Sequence, residues 1–429
     1  MKKLTKLIIV MLMLVILGGC SNSISNDTSN DNSGDNGDIN TDDDIIVNDS
    51  NDPMEDDSVV ETPDTTDVVI PRHKGGPIRD MTSMEITADM GIGWNLGNTL
   101  EACGDWIKGT KVSHYETAWG NPITTKEMLD GIKAAGFNSV RIPVAWSNLM
   151  AEDYTINPEL LDRVEEVANY VMDNDMYAIV NIHWDNGWFS TFSTEYDKAM
   201  EKYTDIWTQV SERFKDYSDY LILESLNEEG YYDDIWNRWS QSTGPEKKQA
   251  YDILNNINQQ FVDIVRGSGG NNEQRHLLIA GYATDIYLTI DELFLMPEDP
   301  AGHLMVSVHY YTPSTFTIIE EDADWGKASP TWGTEAEIGQ MEYELGLMKK
   351  TFIDKGIPVI LGEYGATLKN KDPESVRLYI TSVARTAYQM GIVPMLWDPG
   401  THYSRFSKSF MDTELINSLS EIPNLERSN

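Results

Sequence analysis

LILESLNEEG, residues 221–230, makes two demands that a single fold reconciles. Leu221, Ile222, Leu223 and Leu226 read as a buried parallel strand, in which both faces are covered and apolar residues run on instead of alternating. The same stretch carries Glu224, Asn227, Glu228 and Glu229, which are costly to bury unless something binds them. A strand whose C-terminal end opens into a binding site meets both demands.

Seven other short apolar runs share this character: MGIGWNLG (90–97), FNSVRIPV (137–144), MYAIVNIHW (176–184), HLLIAGY (276–282), LMVSVHYY (304–311), IPVILGEYG (357–365) and IVPMLWD (392–398). Stretches of helical period lie between them. Thr124 or Thr125 is positioned to cap a helix reaching Ala135, and Asn157 with Pro158 opens one reaching Asn174. Further helices are expected over 196–216, 246–266, 335–355 and 373–390, and the residues after 410 read as a closing helix. Eight strand-like runs alternating with helices predict an α/β protein with a (β/α)8 TIM barrel. A doubly wound open sheet is the alternative, and no glycine-rich phosphate fingerprint follows the first strand to favour its nucleotide-binding form.

The barrel is expected over 75–429, behind two segments of other character. Residues 1–20, MKKLTKLIIVMLMLVILGGC, have a Lys-rich start and an apolar run too short to span a bilayer comfortably, the pattern of a secretion signal. The ending LGGC resembles the lipobox of bacterial lipoproteins, which would make Cys20 a lipidation site. An ordinary signal peptide and a secreted product are the alternative. Residues 21–74 are rich in Asp, Asn, Ser and Thr, and up to Ile70 they hold 15 acidic residues and no basic one. Such a segment cannot bury enough apolar surface to offset its ordering entropy, so a disordered tether is expected. NSGDNGDINTDD within it looks like a calcium loop, but aligning Gly37 at the sixth position puts Gly34 where an oxygen ligand is needed.

Two cysteines leave Cys103 without a partner if Cys20 is lipidated, so the fold cannot rest on disulfides and a buried, inert thiol is expected. Residues 71–429 hold 29 basic and 55 acidic residues. That balance disfavours nucleic acid or anionic polymers as partners and suits a neutral substrate.

In a barrel the strand ends line one mouth. The polar and aromatic residues there are Asn95 and Asn98, Arg141, His183, Asn227 and Glu228, His309 and Tyr311, Glu363, and Trp397 with Asp398. Taken singly, an Arg can serve a buried carboxylate, a His can be a satisfied core residue and a Trp can be packing. Together at one mouth they point to a site. Glu228 and Glu363 each end a strongly apolar strand. Burial raises a carboxyl pKa and a nearby Arg lowers it, so two Glu in one cleft can be driven apart into an acid and an anion. Glycoside hydrolysis requires that division.

The pieces GWNLGNTLE (93–101), ETAWGNP (116–122), GFNSVRIPVAW (136–146), NIHWDNGW (181–188), LNE (226–228), VHYYTP (308–313), PVILGEYGA (358–366) and LWDPG (396–400) resemble glycoside hydrolase family 5, in its branch of bacterial endoglucanases and xyloglucanases. The resemblance is collinear from about residue 80 onward. It implies a retaining β-glycanase on a (β/α)8 barrel with no cofactor and no metal. Glu228 would be the acid/base, Glu363 the nucleophile and Asn227 the partner of a sugar hydroxyl. Arg141 and Tyr311 would keep the nucleophile ionised, His183 and His309 would orient groups in the same subsite, and Trp397 would be the sugar platform. Asn98, Trp119 and Trp188, with Trp106 as a further candidate, are placed to line the cleft, with loop packing as the alternative for each Trp. Two departures stand out: Glu229 follows the acid/base where many relatives have Pro, and Trp184 follows His183 where near relatives often have a second His. Glu229 is expected to act on the acid/base through like charge. Glu224 shares strand parity with Glu228 and is expected to pair with an Arg inside the barrel.

An endo-β-1,4-glucanase acting on a β-glucan is the leading expectation, as a monomer touching a membrane only through its N-terminal lipid at the bacterial cell surface. A xyloglucanase, lichenase or mannanase with the same chemistry, a non-catalytic glycan-binding barrel, and a metal hydrolase using His183 and His309 are the alternatives.

Overall fold

A computed structural model of the chain describes residues 73–428 except 231, 233 and 240–243. The signal segment with Cys20, the acidic tether to residue 72 and the loop-like NSGDNGDINTDD lie outside the described residues. Eight parallel strands close into a barrel in sequence order. They are β1 (Gly93–Leu96), β2 (Ser139–Ile142), β3 (Tyr177–Asn181), β4 (Leu221–Glu224), β5 (Leu277–Ala280), β6 (Leu304–Tyr310), β7 (Val359–Tyr364) and β8 (Val393–Asp398). Each is followed by a helix: α1 (Lys126–Ala134), α2 (Pro158–Met172), α3 (Tyr196–Phe214), α4 (Pro245–Gly267), α5 (Ile286–Thr289), α6 (Glu335–Thr351), α7 (Pro373–Gln389) and α8 (Thr413–Ser420). The fifth is a single turn, which is why no helical period marks it in the sequence.

The start signals work as local chemistry requires in most cases. Asn157 accepts the Glu159 amide ahead of Pro158, Thr334 and Glu337 form a reciprocal capping box, and Asp372 caps α7 through the Ser375 amide. Thr125 holds the N-cap of α1 in an extended backbone, but its side chain makes no cap bond. Packing begins slightly earlier than the expected boundary at 75. Ser218 N donates to His73 O (3.0 Å), and Lys74 reaches Glu165 (2.9 Å).

Inside the barrel the side chains form layers. Ile179, Ile222, Leu278, Met305, Ile360, Val393 and Met395 fill the lower half, and Ile86 and Met90 from the helix Ser83–Asp89 and its end cover it from below. Above lies a polar layer of Asn95, Arg141, Glu224 and Ser307, all fully buried. The outward faces of the strands pack against the helices in the main core, as Leu223, Val306, Leu361 and Tyr364 do.

Two local features decide what reaches the mouth. The ladder of β4 stops at Glu224, short of the expected 228, because Ser225 turns its side chain into the gap between strands. Its Oγ donates to Asn258 Oδ1 (2.7 Å) and accepts from Ala280 N (3.0 Å). Asn227 and Glu228 therefore reach the cleft from a loop, so strand rise does not set the spacing of Glu228 above Glu224. In β7 the register skips one residue: Val308 pairs with Leu361, but His309 pairs with Glu363. Strict alternation would turn Glu363 outward with Leu361. The extra residue is Gly362, and a bulge of this kind re-aims the next side chain into the barrel. A Cβ on Gly362 would lie 2.8 Å from Ser307 Oγ and 3.1 Å from His309 Nε2, so the bulge closes only on a glycine.

The Gly362→Ala variant should therefore lose about 1–3 kcal/mol of stability in urea denaturation, from overpacking. Displacement of His309 and Glu363 should lower kcat about a hundredfold. Wild-type values for both would show that the neighbours absorb the methyl group.

Candidate active site

Arg141, from β2, has no exposed surface and binds four partners. Its Nε donates to Glu224 Oε2 (2.5 Å), one terminal nitrogen to Glu363 Oε1 (2.8 Å) and Asn95 Oδ1 (3.2 Å), and the other to Asn227 Oδ1 (2.8 Å). Glu224 is thus the interior partner expected for it, and Ser307 Oγ donates to its other oxygen (2.8 Å). Tyr311 OH donates to Glu363 Oε2 at 3.1 Å. Glu363 accordingly receives a donor on each oxygen, one of them cationic, while its side chain is only 7% exposed. Burial raises its pKa above the ordinary value, and His309 and Arg141 work against that rise.

Glu228 lies in a different setting. A third of its side chain faces the cleft, it makes no ion pair with an Arg or Lys among the described residues, and burial pushes its pKa up to about 7 with Arg141 opposing. His309 Nδ1 sits 2.8 Å from Glu228 Oε1 and 3.7 Å from Glu363 Oε2, bridging the two carboxyl groups. Burial pushes His309 down to about 4, so it is neutral above that pH. A neutral ring with its proton on Nδ1 donates to Glu228 and leaves the buried, unpartnered Nε2 bare beside Gly362. Ligand atoms of Glu228, His309 and Glu363 all lie within 4.8 Å of one another. That spacing brings two carboxyl groups together at the separation of about 5 Å used by retaining glycosidases, and its donor set would also suit a divalent cation.

The remaining candidates divide into those at the cleft and those that build it. Trp397 lies parallel to His183, with ring centroids 5.7 Å apart and planes 6° apart, and burial holds His183 neutral, well below its ordinary pKa. A Cβ on Gly97 would come within 3.0 Å of the Trp397 ring, so the β1 loop packs directly on this platform. Asn227 spends its carbonyl on Arg141, which orients the amide and leaves Nδ2 as its donor for a ligand. Asn98 is buried in a left-handed conformation (φ 55°). Its amide donates to Glu101, its carbonyl accepts from Asn121 (2.9 Å), and its Oδ1 has no partner among the described residues.

Trp188 is used by the protein itself. Its ring stacks on Phe189 at 4.1 Å, Lys202 Nζ lies 4.4 Å from the ring, and its nitrogen donates to buried Asp185 (2.7 Å). This assigns it to loop packing instead of the sugar surface. Trp119 pairs with Trp106 at 5.9 Å. Asp398, at the end of β8, accepts from the Trp94 indole (3.0 Å) and from the amides of Gly400, Thr401, His402 and Tyr403, so it builds the loop and does not face the cleft. Trp184 packs over the Gly187 turn, where a Cβ would come within 3.1 Å of its ring. Cys103 is a buried free thiol whose pKa burial pushes up to about 12.

Sequence reading did not identify Glu101 and Arg405 as loop builders. Glu101 accepts the amides of Asn98 and Thr99, while Arg405 donates to Thr99 Oγ1 (2.6 Å) and to the carbonyls of Gly97 and Asp398 (2.5 and 2.8 Å). An Arg in the loop after β8 gives no sequence sign that it will clamp the loop after β1.

Comparison with known proteins agrees with this geometry. The family model described as Cellulase (glycosyl hydrolase family 5) matches residues 101–402. Endoglucanase A of Ruminococcus albus is 37% identical over 339 residues, covering 79% of this chain and 89% of its own. A xyloglucan-specific endo-β-1,4-glucanase of Bacteroides ovatus is 35% identical over 370 residues, covering 82% and 71%. Among solved structures, a family 5 lichenase mutant from Caldicellulosiruptor sp. F32 in complex with cellotetraose superposes with a TM-score of 0.75 at 33% identity, covering 81% of this chain and 96% of its own.

The two carboxyl environments fix the expected pH behaviour. An attacking Glu363 must be ionised, so kcat/KM should fall on the acid side as pH drops through a pKa raised above its ordinary 4.5. A proton-donating Glu228 must be protonated, so kcat/KM should also fall as pH rises through about 7. A bell-shaped profile whose alkaline limb disappears in Glu228→Ala with an activated aryl glycoside is the expected result. An alkaline limb that persists there would place that proton on another group.

Proposed function

The chain belongs to the cellulase family, glycosyl hydrolase family 5, and from that membership we propose that it is a retaining endo-β-1,4-glucanase acting on cellulose-type β-glucans. The observation that carries the proposal is the pair Glu228 and Glu363, held within 4.8 Å through His309 but in unlike settings, one paired with Arg141 and the other protonated up to about pH 7. Glu363, aligned by Arg141 and Tyr311, attacks the anomeric carbon while Glu228 gives its proton to the departing glycosidic oxygen. A covalent glycosyl-enzyme results. Glu228, now ionised, takes a proton from water as that water attacks the same carbon, and Glu363 leaves with its charge restored. Asn227 Nδ2 faces a ring hydroxyl of the reacting sugar, and Trp397 offers it a flat surface.

Relatives described as a xyloglucan-specific enzyme and as a lichenase support extending the substrate range to xyloglucan and mixed-linkage β-glucan. The LGGC sequence at Cys20 and the acidic tether support a lipid-anchored enzyme held outside the cytoplasmic membrane.

The purified protein should release oligosaccharides from carboxymethylcellulose, barley β-glucan or xyloglucan with EDTA present. Loss of activity on EDTA addition would favour a cation held by Glu228, His309 and Glu363. Glu228→Ala should slow hydrolysis of a natural polysaccharide by about 10² to 10⁴-fold, and Glu363→Ala should remove it. With azide and an activated substrate, Glu363→Ala should give the inverted glycosyl azide and Glu228→Ala the retained one. The opposite stereochemistry would reverse the two assignments.

A further inference from the structure

Lys371, in the loop between β7 and α7, is a buried cation that makes no ion pair among the described residues. Its Nζ donates instead to three backbone carbonyls, those of Thr315 (3.2 Å), Ile319 (2.7 Å) and Ser329 (2.9 Å). An ammonium has three protons to place, and burying it is costly unless each is met. All three acceptors lie in residues 311–334, the long segment between β6 and α6, two near its start and one near its end. One side chain thus draws the two ends of that segment to a single point. Phe316 and Trp332, from the same two ends, both pack on Tyr379 of α7, with ring centroids 5.7 and 5.1 Å away.

The part of the segment gathered in this way touches the reaction centre. Thr317 lies between two of the carbonyls that Lys371 binds. Its Oγ1 donates to Tyr311 O (2.6 Å), and its own carbonyl accepts from Thr367 N (2.9 Å) in the loop that carries Lys371. Tyr379 OH donates to the preceding carbonyl, that of Tyr310 (3.3 Å). The backbone of Tyr311 is therefore held on both sides, and its phenol reaches Glu363 Oε2 at 3.1 Å. That length is already at the long end for an O–H···O bond, so a small shift of the Tyr311 backbone would lose it.

We propose that Lys371 is a positioning residue for the nucleophile. It fixes the turn around Thr317, Thr317 fixes the backbone of Tyr311, and the Tyr311 phenol aligns Glu363. This rests on the β-glucanase reading, in which Glu363 attacks the anomeric carbon.

The test is a double-mutant cycle read as kcat and KM on barley β-glucan. Lys371→Met, which keeps the apolar stem and removes the three donors, should lower kcat about tenfold to a hundredfold through misalignment, with KM close to wild type. Tyr311→Phe should lower kcat to a similar extent. The double variant should be no slower than the slower single one, because residues that act through one another do not add. Thr317→Val should reproduce the loss, and Thr317→Ser, which keeps the hydroxyl, should recover most of it. That pair tests the same chain of contacts even if Lys371→Met folds poorly. Losses that multiply in the double variant, or a wild-type kcat in Thr317→Val, overturn the positioning role and leave the glucanase reading intact. A wild-type enzyme that cleaves no β-glucan overturns both.

Discussion

The guanidinium of Arg141 is the constraint on which the site depends. A buried cation with four oxygen partners is stable only when the partners come to it from fixed places, since an unpaired charge in the barrel would be far more costly than the pairing returns. Here those places are β1 through Asn95, β4 through Glu224, the β4 loop through Asn227 and β7 through Glu363. One group thus ties the nucleophile, the sugar-binding amide and the polar middle layer of the barrel into a single geometry. Ser307 extends the layer to β6 by holding the free oxygen of Glu224.

That arrangement also separates the roles of the two catalytic carboxyl groups. Glu363 shares the Arg141 charge with Glu224, so it is supported without being held at an extremely low pKa, and its carboxylate keeps enough basicity to attack carbon. Among the described residues Glu228 has only a neutral imidazole at hydrogen-bond distance, and it rises to about 7. The difference arises because the guanidinium is directional. It reaches Glu363 and Asn227 with nitrogens but acts on Glu228 only through space.

Much of this was legible in the sequence because apolar runs and their polar ends carry strong signals. The eight strands, the (β/α)8 closure, the pairing of Glu224 with an Arg, and the meeting of Glu228, Glu363, Arg141, Asn227, His309 and Tyr311 at one mouth follow from runs such as LILESLNE and PVILGE. What was not legible depends on partners distant in sequence. The bulge at Gly362 appears only when β7 is laid against β6. Trp188 looks like Trp119 in a sequence, and only the positions of Phe189, Lys202 and Asp185 show that its ring and nitrogen are already engaged. Asp398 likewise ends a strand at the mouth, yet four backbone amides and an indole claim it.

Glu229 shows how such a setting can change what a substitution does. A carboxylate beside the acid/base, where many relatives have Pro, is expected to repel the charge on Glu228 and hold its proton more tightly. Burial together with the neighbouring Glu228 and Asp185 pushes Glu229 itself up to about 8, above the value near 7 for Glu228. Adjacent carboxyl groups titrate as a coupled pair. Burial is the cause of the rise in Glu228, with Arg141 opposing it. Glu229 instead contributes its backbone, whose carbonyl accepts from Ala283 N (2.7 Å) and fastens the loop carrying Glu228 to the end of β5.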